Sequence, residues 1–317
     1  MATHKKINEK LKSNADTGFG VSPDSQGGRF INKDGSYNVI KRGLPFFERI
    51  SFFYKMLNMP AGKFLIILIA FFATINFLFS GIYFFLNDNE FTGVLPGGYL
   101  HHFFELYFFS VQTFTTVGYG RINPDGYFAG AVASVEALTG LSSFALITGI
   151  LYGRFSRPKA YIRFSKHALI APYKEMTALM FRFISYKENH NLTNVEVTVT
   201  FGLTEKNEKA EFKFYRLPLE RERVDSLPMN WTVVHPINED SPFYGFTAED
   251  LRETDAEVYV LVKGFDDVFS NTVLQRTSYR FDEIKFNAKF ERMYYENADD
   301  TTTIIEINKL HDYTFLK

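Results

Sequence analysis

The chain contains no cysteine, which excludes disulfides, a thiolate nucleophile and any cysteine-ligated metal. No G-x-G-x-x-G follows a strand pattern and there is no phosphate-binding loop, so a nucleotide-binding domain is not expected. No nucleophile, base and orienting group assemble into a catalytic set, and the chain is read as a non-enzyme without a cofactor. The formal net charge of −1 gives no overall attraction to nucleic acid. The first 20 residues lack the apolar core of a cleaved secretion signal, so the first long apolar run is expected to act as its own insertion signal.

Charge is also missing from particular places. Phe64–Leu86 (FLIILIAFFATINFLFSGIYFFL) is 23 residues without one charged side chain, enough to cross about 30 Å of hydrocarbon as a helix. Tyr127–Tyr152 is a second such run, broken only by Glu136. From Asn87 to Gly126 the only Lys or Arg is Arg121, whereas Lys41, Arg42, Arg49, Lys55 and Lys63 precede the first run and Arg154, Arg157, Lys159, Arg163 and Lys166 follow the second. The positive-inside rule then places both termini in the cytoplasm and the intervening loop outside, as expected for a multi-pass protein of the cell membrane.

With 317 residues the chain is long enough for more than one core. Residues 1–45 read as an N-terminal cytoplasmic tail with a short strand around RFINKDGSYNV, turned at Asp34-Gly35. Residues 46–155 read as a transmembrane pore domain. Within it, 46–58 forms an amphipathic helix at the membrane interface, stopped by Pro60; 63–86 is the outer helix and 126–155 the inner helix. Between them, HHFFELYFFSVQTF gives a helix over 102–115 that is too short to span, and so re-entrant. Residues 156–317 carry VEVTVTFGL, EFKFYRL, WTVVHPI, EVYVLVKGF and IKFNAKF, short alternating or β-branched runs separated by loop clusters, which predict a β-sandwich. The fold class is an α-helical two-span pore module with a re-entrant pore helix, plus a C-terminal immunoglobulin-like β-sandwich.

The short helix ends at TTVGYG. Backbone at membrane depth that is neither helix nor closed sheet must be enclosed by protein or line a water path, and two spans of one chain cannot enclose it, so an oligomer is required. Gly118 and Gly120 alternate with Val117 and Tyr119. Glycine at alternate positions lets successive carbonyls turn the same way, which is how a potassium filter replaces an ion's hydration shell. The Thr116 hydroxyl adds an inner oxygen, while Val117 and Tyr119 point away and pack as a cuff. The filter is read as Thr116, Val117, Gly118, Tyr119 and Gly120, with K⁺ held at Thr116 to Tyr119.

TVGYG in this setting, with RFINKDGSYNV, GRFSRPKAYIRFSKHALI, HPINEDSPFYGFTAEDL and VLQRTSYRFDEIKFNAKF, resembles the inward-rectifier potassium channel family and its prokaryotic (KirBac-type) branch in particular. The resemblance runs from about Gly18 to Phe315. It implies a homotetramer, with Gly140 and Gly149 as flexible points of the inner helix and Tyr152 as the bulky residue at the inner bundle crossing. Four converging aromatic rings there can form a dewetting gate.

The resemblance also implies an anionic-lipid or phosphoinositide site on Arg154, Arg157, Lys159, Arg163, Lys166 and His167, at which juxtamembrane basic residues gain about 1 kcal/mol each. The alternative for the cluster is topology alone. Candidate pore blockers are polyamine and Mg²⁺. Phe144 stands where strongly rectifying relatives carry an acidic cavity residue, so weak rectification is expected.

Two departures bear on conduction. Gln112 stands where the family usually has a Glu behind the filter, and Arg121 follows the filter where an Asp is common. Four Arg121 side chains would raise the energy of a cation at the outer mouth unless splayed or paired, with Asp125 as the expected partner. Glu136 either faces the cavity or bonds to Gln112, and helical phase leaves both open. His101, His102 and Glu105 are read as pore-helix packing rather than a metal site. The competing function is a membrane-anchored β-sandwich binding or sensor protein with a poorly conducting pore.

Overall fold

A computed structural model describes residues 29–43, 45, 51–206, 210–299 and 301–316. The residues up to Lys41 group with those from Pro158 onward into one compact unit, and Arg42–Arg157 forms a second. Residues 46–50 of the expected interfacial helix lie outside the described residues.

In the second unit, α1 (Phe52–Asn58) is capped by Ser51, whose side chain accepts from the Tyr54 amide. Pro60 stands immediately before α2 (Ala61–Phe84), where its missing N–H costs nothing. A short hairpin of β1 (Phe91–Thr92) and β2 (Asn123–Pro124) brackets α3 (Tyr99–Phe114), and α4 (Tyr127–Phe155) follows. The 24 residues of α2 and 29 of α4 each exceed a bilayer core, whereas the 16 of α3 reach only about 24 Å. Phe79 and Tyr83 of α2, Leu106 and Phe109 of α3, and Ala129 of α4 form one buried cluster with Phe91 and Ile122, so the short helix is wedged between the two long ones.

The other unit is a sandwich of two five-stranded sheets. One runs β11 (Asn271–Arg280), β10 (Glu257–Asp266), β6 (Leu192–Lys206), β7 (Ala210–Arg216), with β8 (Arg223–Ser226) also on β6. The other runs β12 (Ile284–Phe286), β4 (Ala168–Tyr173), β5 (Met176–Ser185), β3 (Ile162–Phe164), with β9 (Trp231–Ile237) also on β5. Strand alternation makes the core: Val195, Val197, Val199, Phe201 and Leu203 of β6 are all buried, and Val197, Val199 and Phe201 pair with Val262, Val260 and Val258. Leu179, Phe181 and Phe183 of β5 face them from the second sheet. Each fully buried side chain of this size contributes about 1.5–3 kcal/mol.

IKFNAKF does not form one strand. Asn287 has φ 53°, a left-handed conformation asparagine tolerates, and the chain there leaves β12 for β13 (Ala288–Phe290), which pairs with β14 (Tyr313–Phe315) in a separate ribbon. Arg182 ties the chain end to the sandwich. Its guanidinium is buried and donates to the carbonyls of Leu310 at 2.9 Å, Glu291 at 2.6 Å and Asp312 at 3.2 Å, and also to Lys309, under the Phe290 ring. Burial pulls its pKa down to about 10. At the N-terminal side, Ile31 bridges Tyr37 around a turn with Gly35 at φ 87°, and Ser278 Oγ donates to the Ile31 carbonyl at 2.6 Å.

Candidate functional site

The loop after α3 alternates. Thr116, Gly118 and Gly120 have φ of 59°, 53° and 79°, and the intervening Val117 and Tyr119 are not left-handed. Glycine takes this conformation freely, but for a β-branched residue such as Thr116 it is an outlier costing about 1–3 kcal/mol. The start of the loop is fixed to the helix, because the Gln112 carbonyl accepts from the Val117 amide at 2.9 Å and the Gly118 amide at 3.4 Å. At its end, Asn123 Nδ2 donates to the Gly120 carbonyl at 3.0 Å. Val117 and Tyr119 are exposed in the single chain.

A buried polar network joins all three helices. Tyr83 OH donates to Glu136 Oε2 at 2.6 Å, and Ser110 Oγ donates to Glu136 Oε1 and lies 3.1 Å from Asn76 Oδ1. Asn76, Tyr83, Ser110 and Glu136 have no exposed surface. Glu136 is thus fully buried within the chain, with its carboxylate held by Tyr83 of α2 and Ser110 of α3. The pairing expected for Arg121 is corrected. Its Nη1 lies 2.7 Å from Glu105 Oε2, not against Asp125.

Along α4, Gly140 is buried and so close to the Phe114 carbonyl that a Cβ there would collide with it. Its visible role is to let the inner helix approach the end of the short helix. Gly149 has open space around it. Phe144 and Tyr152 both project from α4 with most of their surface exposed.

The six basic residues divide between the two units. Arg154 donates to the carbonyls of Met56 at 2.6 Å and Met59 at 2.8 Å, and covers the Phe64 ring; Arg157 donates to Asn58 Oδ1 and covers Tyr54. Both therefore cap the end of α1, where free carbonyls favour cations. In the sandwich unit Lys159 is exposed, and Arg163, Lys166 and His167 line a cavity of about 690 Å³ with Lys33, Tyr186 and Glu283. Lys33 bonds to the Lys166 carbonyl at 3.0 Å and pairs with Glu283 at 3.1 Å, and burial lowers its pKa. Burial and the nearby Lys285 and Lys33 also lower that of His167.

A family model of the inward rectifier potassium channel C-terminal domain matches residues 162–315, and an ion channel model matches residues 64–157. The chain is also 29% identical over 299 residues to the inward rectifier potassium channel Kirbac3.1 of Paramagnetospirillum magnetotacticum, an overlap covering 92% of this chain and 98% of that one. These matches join the chain to the inward-rectifier potassium channel family over both of its units. Animal relatives include the ATP-sensitive inward rectifier potassium channel 12 of Gallus gallus, 26% identical over 212 residues, and the inward rectifier potassium channel 4 of Homo sapiens, 28% identical over 213 residues. Those matches cover 62% of this chain and 48% and 47% of the relatives, so the chain spans about half their length.

Two helices long and apolar enough to cross a membrane, together with the channel matches, indicate a membrane protein with a β-sandwich. The network partners Asn76, Tyr83 and Ser110 were not singled out from sequence. Asn76 did leave a signal, as an amide inside an otherwise apolar run. Glu105 left none that distinguished a charge partner from helix packing.

Proposed function

We propose that the protein is a tetrameric, K⁺-selective channel whose filter is Thr116 to Gly120. The observation that carries this reading is the alternation of left-handed backbone at Thr116, Gly118 and Gly120, the pattern that lets successive carbonyls point toward one axis. A backbone outlier at a threonine, repeated in register with two glycines, is strain kept for a purpose. Oligomeric assembly is supported by the exposure of Val117, Tyr119, Phe144 and Tyr152 in the isolated chain. Pairing of Arg121 with Glu105 favours conduction over the alternative of a membrane-anchored sensor with a blocked pore.

In this reading the gate is a ring of four Tyr152 side chains, and both termini are cytoplasmic in a cell membrane. Anionic lipid acts on Lys159, Arg163, Lys166 and His167 directly, while Arg154 and Arg157 act by holding α1. Rectification is weak, because Phe144 offers no charge and Glu136 is enclosed by Tyr83 and Ser110. Internal spermine should block shallowly, and Phe144→Asp should deepen the block.

The test is Rb⁺ uptake by liposomes containing the purified protein under a K⁺ gradient. Uptake should be blocked by Ba²⁺, exceed Na⁺ uptake, and vanish in Gly118→Asp. Equal uptake of Na⁺ and Rb⁺ would overturn the reading.

A further inference from the structure

Neither the filter motif nor the family match accounts for a charge at the outer end of the filter. Arg121 follows Gly120 directly, and its backbone has little freedom. Gly93 packs so closely on the Arg121 carbonyl that a Cβ would collide with it, and the flanking Phe91–Pro124 and Thr92–Asn123 pairs close the hairpin around it. From that fixed base the guanidinium reaches back to α3, where Nη1 meets Glu105 Oε2 at 2.7 Å. The Glu105 side chain is only 11% exposed and that of Arg121 is 47% exposed. Glu105 also lies near His101.

We propose that Glu105 is a positioning residue for conduction: it holds Arg121 against the pore helix and cancels its charge, so that four copies do not make a cationic ring at the outer mouth. The inference rests on the channel reading above. Four unpaired unit charges about 10 Å from the axis lower the local K⁺ concentration by about tenfold in water when salt is low, and screening removes the effect near 1 M salt. A pair held close together has little such field. The claim therefore predicts a defect that depends on ionic strength, which lost packing alone does not produce.

The experiment measures single-channel conductance in planar bilayers for wild type, Glu105→Gln, Arg121→Gln and the double variant, at about 0.02 M and about 1 M K⁺. Glu105→Gln should cut low-salt conductance about tenfold and leave high-salt conductance within about twofold of wild type. The double variant should return close to wild type. Arg121→Gln, which leaves Glu105 as an unpaired anion, should raise low-salt conductance severalfold. A Glu105→Gln channel equal to wild type at low salt overturns the proposal while leaving the channel reading intact, and so does a double variant as impaired as Glu105→Gln at both salt levels. If Glu105→Gln does not assemble, Arg121→Gln decides alone, since unchanged or reduced low-salt conductance refutes the charge argument. A wild-type protein that passes no K⁺ overturns the channel reading and this inference with it.

Discussion

The two units are built with opposite polarity. In the sandwich, apolar side chains such as Val197, Phe201, Phe181 and Val260 are buried. In the helical unit, Leu65, Ile66, Ile69, Phe77, Leu138, Leu141 and Leu146 are exposed, while Asn76, Ser80, Ser110 and Glu136 are buried. Only 11% of each spanning window is buried within the chain. The sandwich is organised by water. The helical unit is organised by a solvent in which hydrophobic burial drives nothing, so helices associate through packing and hydrogen bonds among the few polar groups they carry. A buried carboxylate that would be a liability in a water-soluble core is here the point at which Tyr83 and Ser110 converge, with Asn76 beside Ser110.

If this comparison holds, the most damaging polar substitution in the sandwich is Arg182→Ala. It leaves the carbonyls of Leu310, Glu291, Lys309 and Asp312 without their donor, for a loss of about 3 kcal/mol. Residues 286–316 should become protease-sensitive in the full chain while helix content is unchanged. Protection equal to wild type would place the anchor elsewhere.

In the helical unit, Tyr83→Phe and Ser110→Ala each remove one donor to Glu136 and should lower thermal stability in detergent by about 1–2 kcal/mol. Changing Leu65 or Ile69 to another large apolar residue should cost almost nothing, since both are exposed. A larger cost at Leu65 than at Tyr83 would reverse the polarity argument. Tyr152→Ala tests the gate and should raise open probability severalfold without altering selectivity. No change would make Tyr152 an interfacial residue only.

The smallest effect concerns pH in the sandwich. His235 is buried with both ring nitrogens engaged, Nδ1 with the Pro218 carbonyl at 2.6 Å and Nε2 with Ser241 Oγ at 2.7 Å, and burial lowers its pKa below the usual imidazole value. The unfolded chain then binds the proton first. The stability that His235 supplies is complete above about pH 6.5 and falls by up to about 1.4 kcal/mol per unit as pH drops below that. His235→Gln should remove part of the acid slope, with the remainder left to His167 and His311, whose pKa values burial also lowers.

Features set by local chemistry were readable in the sequence. Both spans were marked by missing charge, and two of the left-handed positions after α3 by glycines at alternate positions. The strands of β6, β7, β9 and β10 followed from alternation or β-branching. Features that need tertiary geometry were not. β5 (MTALMFRFIS) is buried on both faces, so it lacks a period of two, and Arg182 within it looks like a surface charge until the C-terminal carbonyls are in place. The break at Asn287 depends on one left-handed residue that IKFNAKF does not announce. Glu136 stood out as a charge inside a span, but helical phase alone did not choose among its neighbours. Arg121 was visible as a problem, and its partner lies 16 residues earlier on α3, reached only because the chain returns past the short helix.

The central claim is that the alternating backbone from Thr116 to Gly120 selects K⁺. Its most direct test is the reversal potential of the purified protein in a planar bilayer with K⁺ on one side and Na⁺ on the other. The account predicts a reversal potential close to the K⁺ equilibrium potential. A reversal near zero, with current carried equally by both ions, would contradict it.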